Sequence, residues 1–405
     1  MRKYIILIIT VLFVSCTNQS NKSLSFTREQ IDSLKLDSTK ILKADAESAI
    51  VINLNPFLKK QSFDFGTKVK EVRFIPLETT DESLLGNIYK VIVTDSINYI
   101  FDDFKGGGIV LFDEDGQFIK RISNGGGPGE LFRLGDIAYD KEHNELIVYQ
   151  HPFFLFYTSR GTFVRQERLP FGFYNFIVTP EGYIFKTIDG LGNEHLDSKK
   201  DNTLLVTDKK FKLKYAGLPT SVTNINYGGY SYLYSNDNMN QITQNYTDTI
   251  YHYFSDSNEL KALYIMDYEE KKLPNQFLKG DGGKIHKILS QNDYYYYIGE
   301  YLETKSHHVF FLRNNYIGLQ TIIYRDKVTG NMIGGTNADF NINEIPAIGF
   351  PKATFGEYFI SIHLPNKDDR LLSKSSIITD EDKRKIKKLK ADDNPVLVLY
   401  RLKNI

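Results

Sequence analysis

The residues able to do chemistry gather at the ends of short extended runs. Asp102 and Asp103, followed by Lys105, close one such run, and Gln150 and His151 close the equivalent run one repeat later. Equivalent runs in a repeat end on the same side, so two carboxylates, a cation and an imidazole would share a rim. Asp189 and Glu303 are looser analogues. Between the runs lies Gly125-Gly126-Gly127-Pro128-Gly129-Glu130, with Arg121 before it and Arg133 after it. A phosphate loop would need a Lys-Ser/Thr pair and a following helix, and neither is present. The stretch reads instead as a rigid turn with Glu130 pointing inward. Carboxylates, imidazole and guanidinium on one rim suit a polar ligand such as a sugar, a peptide or a cation. Asp102, Asp103, Arg121, Glu130, Arg133 and His151 are the candidate ligand contacts. No catalytic signature accompanies them.

Other chemistry is poorly supported. His307 and His308 are neighbours on an extended run and would point to opposite faces. Asp113-Glu114-Asp115-Gly116 lacks the length and the distal glutamate of a calcium loop. Neither a metal nor a cofactor is expected. The tyrosine run 294–297 reads as strand packing, or as one sugar-stacking face. Lys387, Lys388 and Lys390 read as a solvated helix face rather than an anion patch. The chain has 50 Lys+Arg and 50 Asp+Glu. That balance argues against a general nucleic-acid binder, which would carry a basic face.

Cys16 is the single cysteine, so no intrachain disulfide and no Cys-based metal site can form. It follows Arg2, Lys3 and an apolar run from Tyr4 to Val14, about ten residues and too short to span a bilayer. This reads as a secretory signal over 1–15. Leu12-Phe13-Val14-Ser15-Cys16 resembles a bacterial lipobox, which would make Cys16 the acylated first residue of the mature chain. Residues 16–49 then read as tether and spacer, with Thr27 and Gln30 as a capping box.

From Ile50 the texture is that of strands, with runs at 50–54 and 69–77. Apolar run, Asp/Gly turn and second apolar run recur as hairpins: 109–112 with 118–122, 154–157 with 162–164, 204–207 with 211–213, 249–253 with 260–263, and 321–324 with 331–333. Two further extended segments precede each of the first two hairpins. Four short strands in a unit of about 40 to 50 residues is the period of a propeller blade. Units near 84–130, 131–170, 171–219, 224–274, 290–335 and 344–402 make six. The strand at 396–402 has no hairpin partner after it, so one N-terminal strand is expected beside it, sealing the ring. Helices are expected after Thr379 and over 283–290.

The stretches IPLETTDESLLGNI (75–88), FDEDGQFIKRI (112–122), GGGPGE (125–130), TDTIY (247–251) and NPVLVL (394–399) together resemble the six-bladed β-propeller lipoproteins of Bacteroidetes. Those are similar to NHL-repeat and TolB-like propellers. The resemblance spans roughly 50–402 and implies an all-β, six-bladed propeller domain over 50–405. It supplies no catalytic residues. The expectation is a non-catalytic, lipid-anchored envelope protein that binds a glycan, a peptide or an envelope protein at its channel face. Its expected place is the outer membrane, facing the periplasm, held there by the N-terminal lipid. The alternatives are a metal-dependent propeller enzyme of lactonase, lyase or hydrolase type, and a scaffold subunit of an outer-membrane uptake complex.

Overall fold

The computed structural model describes residues 26–58, 62–103, 107–125, 127, 129–188, 191–219, 233–236, 239–244, 247–278, 282–314, 320–339, 348, 350–365 and 377–405. Within these, the chain forms an all-β six-bladed propeller. Blade 1 is Ile88–Val93, Ile97–Asp102, Gly108–Asp113 and Phe118–Ser123; blade 2 is Asp136–Asp140, Glu145–Gln150, Phe153–Thr158 and Phe163–Arg168. Blade 3 is Asn175–Thr179, Gly182–Lys186, Asn202–Asp208 and Leu213–Pro219; blade 4 is Leu233–Asn236, Met239–Ile242, Thr249–Phe254 and Glu259–Asp267. Blade 5 is Tyr295–Glu303, His307–Asn314, Gln320–Asp326 and Met332–Gly335. Blade 6 takes Ala353–Phe355, Tyr358–His363 and Val396–Leu402 from one end of the chain and Val69–Pro76 from the other. Val396 pairs with Pro76, Val398 with Phe74 and Tyr400 with Val72, antiparallel.

The strand pattern explains the ring. The two middle strands of blade 1 are buried along almost their whole length, while its fourth strand alternates toward solvent. A strand buried on both faces needs a neighbour on each side, so one blade cannot stand alone. Six apolar clusters fill the gaps between consecutive blades, from blades 1 and 2 around to blades 6 and 1. The six innermost strands touch in the same cyclic order.

Local chemistry sets the outer hairpins. Asp113 Oδ1 accepts from the backbone N–H groups of Asp115 and Gln117, and Asp208 Oδ1 does the same for Lys210 and Lys212. Such Asx turns release the chain from the strand. Gly116 has φ +85°, and a Cβ there would sit 2.1 Å from the Pro76 carbonyl oxygen, so only glycine fits. Blade 3 manages without glycine by placing Phe211 at φ +61°.

The described residues of the stretch read as a spacer, 26–49, carry a helix and short strands. Helix α1, Arg28–Leu34, carries the expected capping box between Thr27 and Gln30, and Leu34 is fully buried. Lys40–Leu42 then pairs parallel with the outer strand of blade 3, and Ala44–Asp45 and Ile50–Asn53 pair parallel with that of blade 4. Lys40–Leu42 and Ala44–Asp45 are short and mostly exposed, so they lack the apolar periodicity that would have marked them in sequence, whereas Ile50–Asn53 falls on the run read there as a strand. Helix α2 spans Gly282–Gln291. Helix α3, Asp380–Lys387, is capped by Thr379, with Ile386 buried against blade 6.

Candidate functional site

Second strands and the links between blades end on one face, here called the mouth. Asp102 lies there, at the end of the second strand of blade 1, but faces the protein. Its carboxylate accepts from the Gly86 and Asn87 N–H groups at 3.1 and 2.9 Å, and the Arg121 guanidinium stands 3.7 Å away. Arg121 also donates to the Glu82 and Leu84 carbonyls. The two candidates are therefore brought together, and their polar atoms brace the loop that leads into blade 1. Asp103 is exposed and accepts from the Asn87 side chain.

The link from blade 1 to blade 2 is braced as well. Glu130 turns its carboxylate back to accept from the Gly127 N–H at 2.7 Å, and a Cβ at Gly125 would collide with that carboxylate. Glu130 itself is exposed, its carboxylate capping its own loop; Gly126 and Pro128 lie outside the described residues. Tyr157 donates to the Gly129 carbonyl. Arg133 is exposed at φ +58°, its guanidinium 5.5 Å from the Phe132 ring.

His151 has different surroundings. Its Nδ1 is 2.9 Å from the Tyr149 hydroxyl, and its Nε2 is buried with no hydrogen-bond partner among the described residues. Burial, reinforced by the Arg168 charge, holds its pKa below the usual value, so the ring is neutral. Tyr149 stacks on Phe173 at 3.9 Å. Burial, with a smaller contribution from Asp136, raises the Tyr149 phenol and keeps it protonated.

Asp136 begins the innermost strand of blade 2 and is fully buried. It binds the Lys90 ammonium of blade 1 at 2.7 Å and accepts from the Phe176 N–H of blade 3 at 3.1 Å, so one carboxylate ties three blades. Across blade 3, Asn175 pairs with Lys186. Lys186 is 4% exposed, and desolvation lowers its pKa to about 7. Asp136, Tyr149 and Lys186 were missed in the sequence. Lys186 had left a signal, since it is the one charge in the apolar run Gly182–Lys186.

The opposite end holds a second polar cluster. Glu303 ends the first strand of blade 5, not the second, so the sequence analogy with Asp102 fails and Glu303 lies away from the mouth. The error came from matching run ends without counting strands in the blade. Glu303 is 2% exposed, pairs with Lys327, and accepts from Gln241 and Tyr301. Tyr234 of blade 4 donates to the Glu303 carbonyl and reaches the Thr354 hydroxyl of blade 6. Side chains from three blades thus meet across this end of the ring.

The remaining candidates resolve simply. Asp189 and Lys105 lie outside the described residues. In the tyrosine run, Tyr295, Tyr296 and Tyr297 are buried in strand packing, and Tyr294 is half-buried, its ring 6.2 Å from that of Phe277. His307 and His308 do diverge, the first toward Asp326 and the second toward Tyr301. Asp140, Glu142 and His143 could bring ligand atoms within 4.8 Å of one another, on the turn between the first two strands of blade 2. Burial alone would raise the Asp140 carboxyl; Lys209 at 3.0 Å and His143 outweigh it and hold its pKa below normal. That carboxylate is already neutralised by Lys209. A shallow concavity of about 350 Å³ sits on the link between blades 4 and 5, lined by Glu269, Lys272, Leu273, Pro274 and Asn275. It shares no residue with the candidate contacts and has no aromatic wall.

The family profile described as "Domain of unknown function (DUF4934)" matches residues 49–401. The chain belongs to the DUF4934 family. The matched region holds all six blades of this DUF4934 protein, while α1 and the strand Lys40–Leu42 precede it. No curated protein matches the sequence. Among solved structures, an exported-protein candidate (BF0058) of Bacteroides fragilis is similar with a TM-score of 0.70 and 18% identity. The match covers 88% of this chain and 100% of that one. BamB of Moraxella catarrhalis is similar at a TM-score of 0.39 and 10% identity, covering 82% and 99% of the two chains. The first likeness shows the fold; the second carries no argument.

Proposed function

We propose that this DUF4934 protein is a lipid-anchored protein of the bacterial envelope whose propeller binds a polar ligand at its mouth without transforming it. The observation that carries the reading is the buried Nε2 of His151, unpartnered among the described residues. A buried polar atom left unpaired costs about 1–3 kcal/mol, so the position favours a ligand group that pairs with it. Tyr149 and Phe173 supply an aromatic wall beside it. A neutral imidazole next to aromatic rings suits the hydroxyl of a glycan or the amide of a peptide. The meeting of Tyr234, Glu303 and Thr354 at the other end favours capture at the mouth over passage through the ring.

The pairing of Val396–Leu402 with Val69–Pro76 supports a ring sealed by strands from both chain ends, as in NHL-repeat and TolB-like propellers. The signal-like start and Cys16 support lipidation, with an outer-membrane, periplasm-facing place for the domain. The name of the Bacteroides fragilis protein is in keeping with export. The metal-dependent enzyme reading requires carboxylates and histidines converging on the channel. Among the described residues the metal-like group is on the blade 2 turn instead, with Asp140 taken by Lys209.

Two experiments test the reading. Calorimetric titration with neutral oligosaccharides and short peptides should find binding that His151→Ala weakens about tenfold or more. Binding indifferent to His151→Ala would overturn the mouth site. Cys16→Ala should move the protein from the membrane to the soluble fraction, and unchanged membrane association would overturn the anchor.

A further inference from the structure

The outer edges of the ring are not treated alike. Blades 3 and 4 have their outer strands paired by the N-terminal segments. Ser62–Asp64 runs parallel to Asn337–Asp339, just past the last strand of blade 5. Helix α3 packs on Val69–Pro76, the outer strand of blade 6. Among the described residues, nothing pairs with the outer strands of blades 1 and 2, which are neighbours. An open strand edge presents a row of N–H and C=O groups to any extended chain.

The two open edges differ in chemistry. On blade 1 the charges are committed: Lys120 donates to the Gly161 carbonyl, and Arg121 holds the 82–84 loop. On blade 2, Arg165 is tied inward. It binds Glu145 at 2.7 Å and Glu167 at 3.0 Å, and its guanidinium lies 3.7 Å over Phe156. This braces the strand Phe163–Arg168. Val164 is left 46% exposed on it. Arg160 in the turn before the strand and Arg168 at its end are both exposed and have no ion pair among the described residues. The edge therefore offers backbone pairing groups, an apolar contact and a cation without an ion pair at either end, Arg168 lying 5.6 Å from the Phe153 ring.

We infer that the outer strand of blade 2 is a docking edge for an extended acidic segment of a partner protein. The segment adds as a strand, as the chain's own N-terminal strands add to blades 3 and 4. Its carboxylates meet Arg160 and Arg168, and an apolar side chain covers Val164. Main-chain hydrogen bonds supply affinity, and the flanking charges supply choice of partner. The Arg168 charge also acts on His151, so Val164→Asp, which leaves both arginines in place, is the variant that separates this edge from the mouth reading.

The test uses two synthetic peptides on the folded protein, one alternating Glu and Val, the other Lys and Val. The Glu/Val peptide should protect the amides of 163–168 from hydrogen exchange and bind about tenfold or more tightly than the Lys/Val peptide. The doubly reversed Arg160→Glu, Arg168→Glu protein should invert that preference, and Val164→Thr should retain it. Val164→Asp provides a check that does not depend on the folding of the double variant, and it should weaken the Glu/Val peptide about tenfold. Unprotected 163–168 amides, equal affinity for the two peptides, or binding unchanged by Val164→Asp would overturn the inference.

Discussion

Replacing Lys186 by methionine should stabilise the protein near neutral pH, and the gain should fade as the solution is made alkaline. Lys186 is almost fully buried on the second strand of blade 3, and desolvation brings its pKa from 10.5 to about 7. The unfolded chain therefore binds more protons at this site than the folded one everywhere between those values. Stability must rise with pH across that window, at about 1.4 kcal/mol per pH unit. Below about pH 7 the fold bears the full desolvation cost of the buried ammonium. Integrated from about pH 7 to about pH 9, the wild type should gain about 2 kcal/mol from this one group. Methionine has similar length and no charge, so it removes the slope. The assay is urea unfolding of both proteins across that range, with the difference in ΔG plotted against pH. A difference that does not change with pH, or a methionine variant that is less stable throughout, would refute the desolvation argument.

Further consequences concern the seam between blades 5 and 6. The hydroxyls of Tyr324 and Tyr400 face each other at 2.7 Å, both fully buried. Either single change to Phe should cost about 1–3 kcal/mol by leaving one hydroxyl unpaired. The double change should cost less than the sum, and a double-mutant cycle in chemical denaturation reads the difference. Phe74, 1% exposed on the N-terminal strand of blade 6, should cost about 3–5 kcal/mol when cut to Ala. Val51→Ala, 62% exposed on the segment along blade 4, should stay within about 0.5 kcal/mol by the same assay.

Features that depend on a few adjacent residues could be read from the sequence. The Asp113 and Gly116 turn, the Thr27 capping box and the Thr379 helix cap are all set within four or five positions, so their residue types declare them. The repeat was legible because each blade repeats that local grammar. Asp102 and His151 were placed at the end of the second strand of their blades, but what each of them touches was not legible. Asp102 looks available in sequence; its partners are N–H groups of Gly86 and Asn87, supplied only when the loop folds back. Glu303 was assigned to the wrong end because the pattern of its run does not say whether it is the first or second strand of its blade. Of the N-terminal segments along blades 3 and 4, Ile50–Asn53 was read as a strand, but Lys40–Leu42 and Ala44–Asp45 were missed because two or three mostly exposed residues leave no period to detect. Lys186 and Asp136 act through burial, and burial depends on packing between blades.

The most direct test of the mouth reading is the ¹⁵N signal of the His151 imidazole during titration with neutral oligosaccharides and short peptides. A ligand that pairs with Nε2 should shift that nitrogen and leave the Glu303 and Asp140 end of the ring undisturbed. Binding that perturbs the opposite end, or that leaves the His151 nitrogen unmoved, would contradict it.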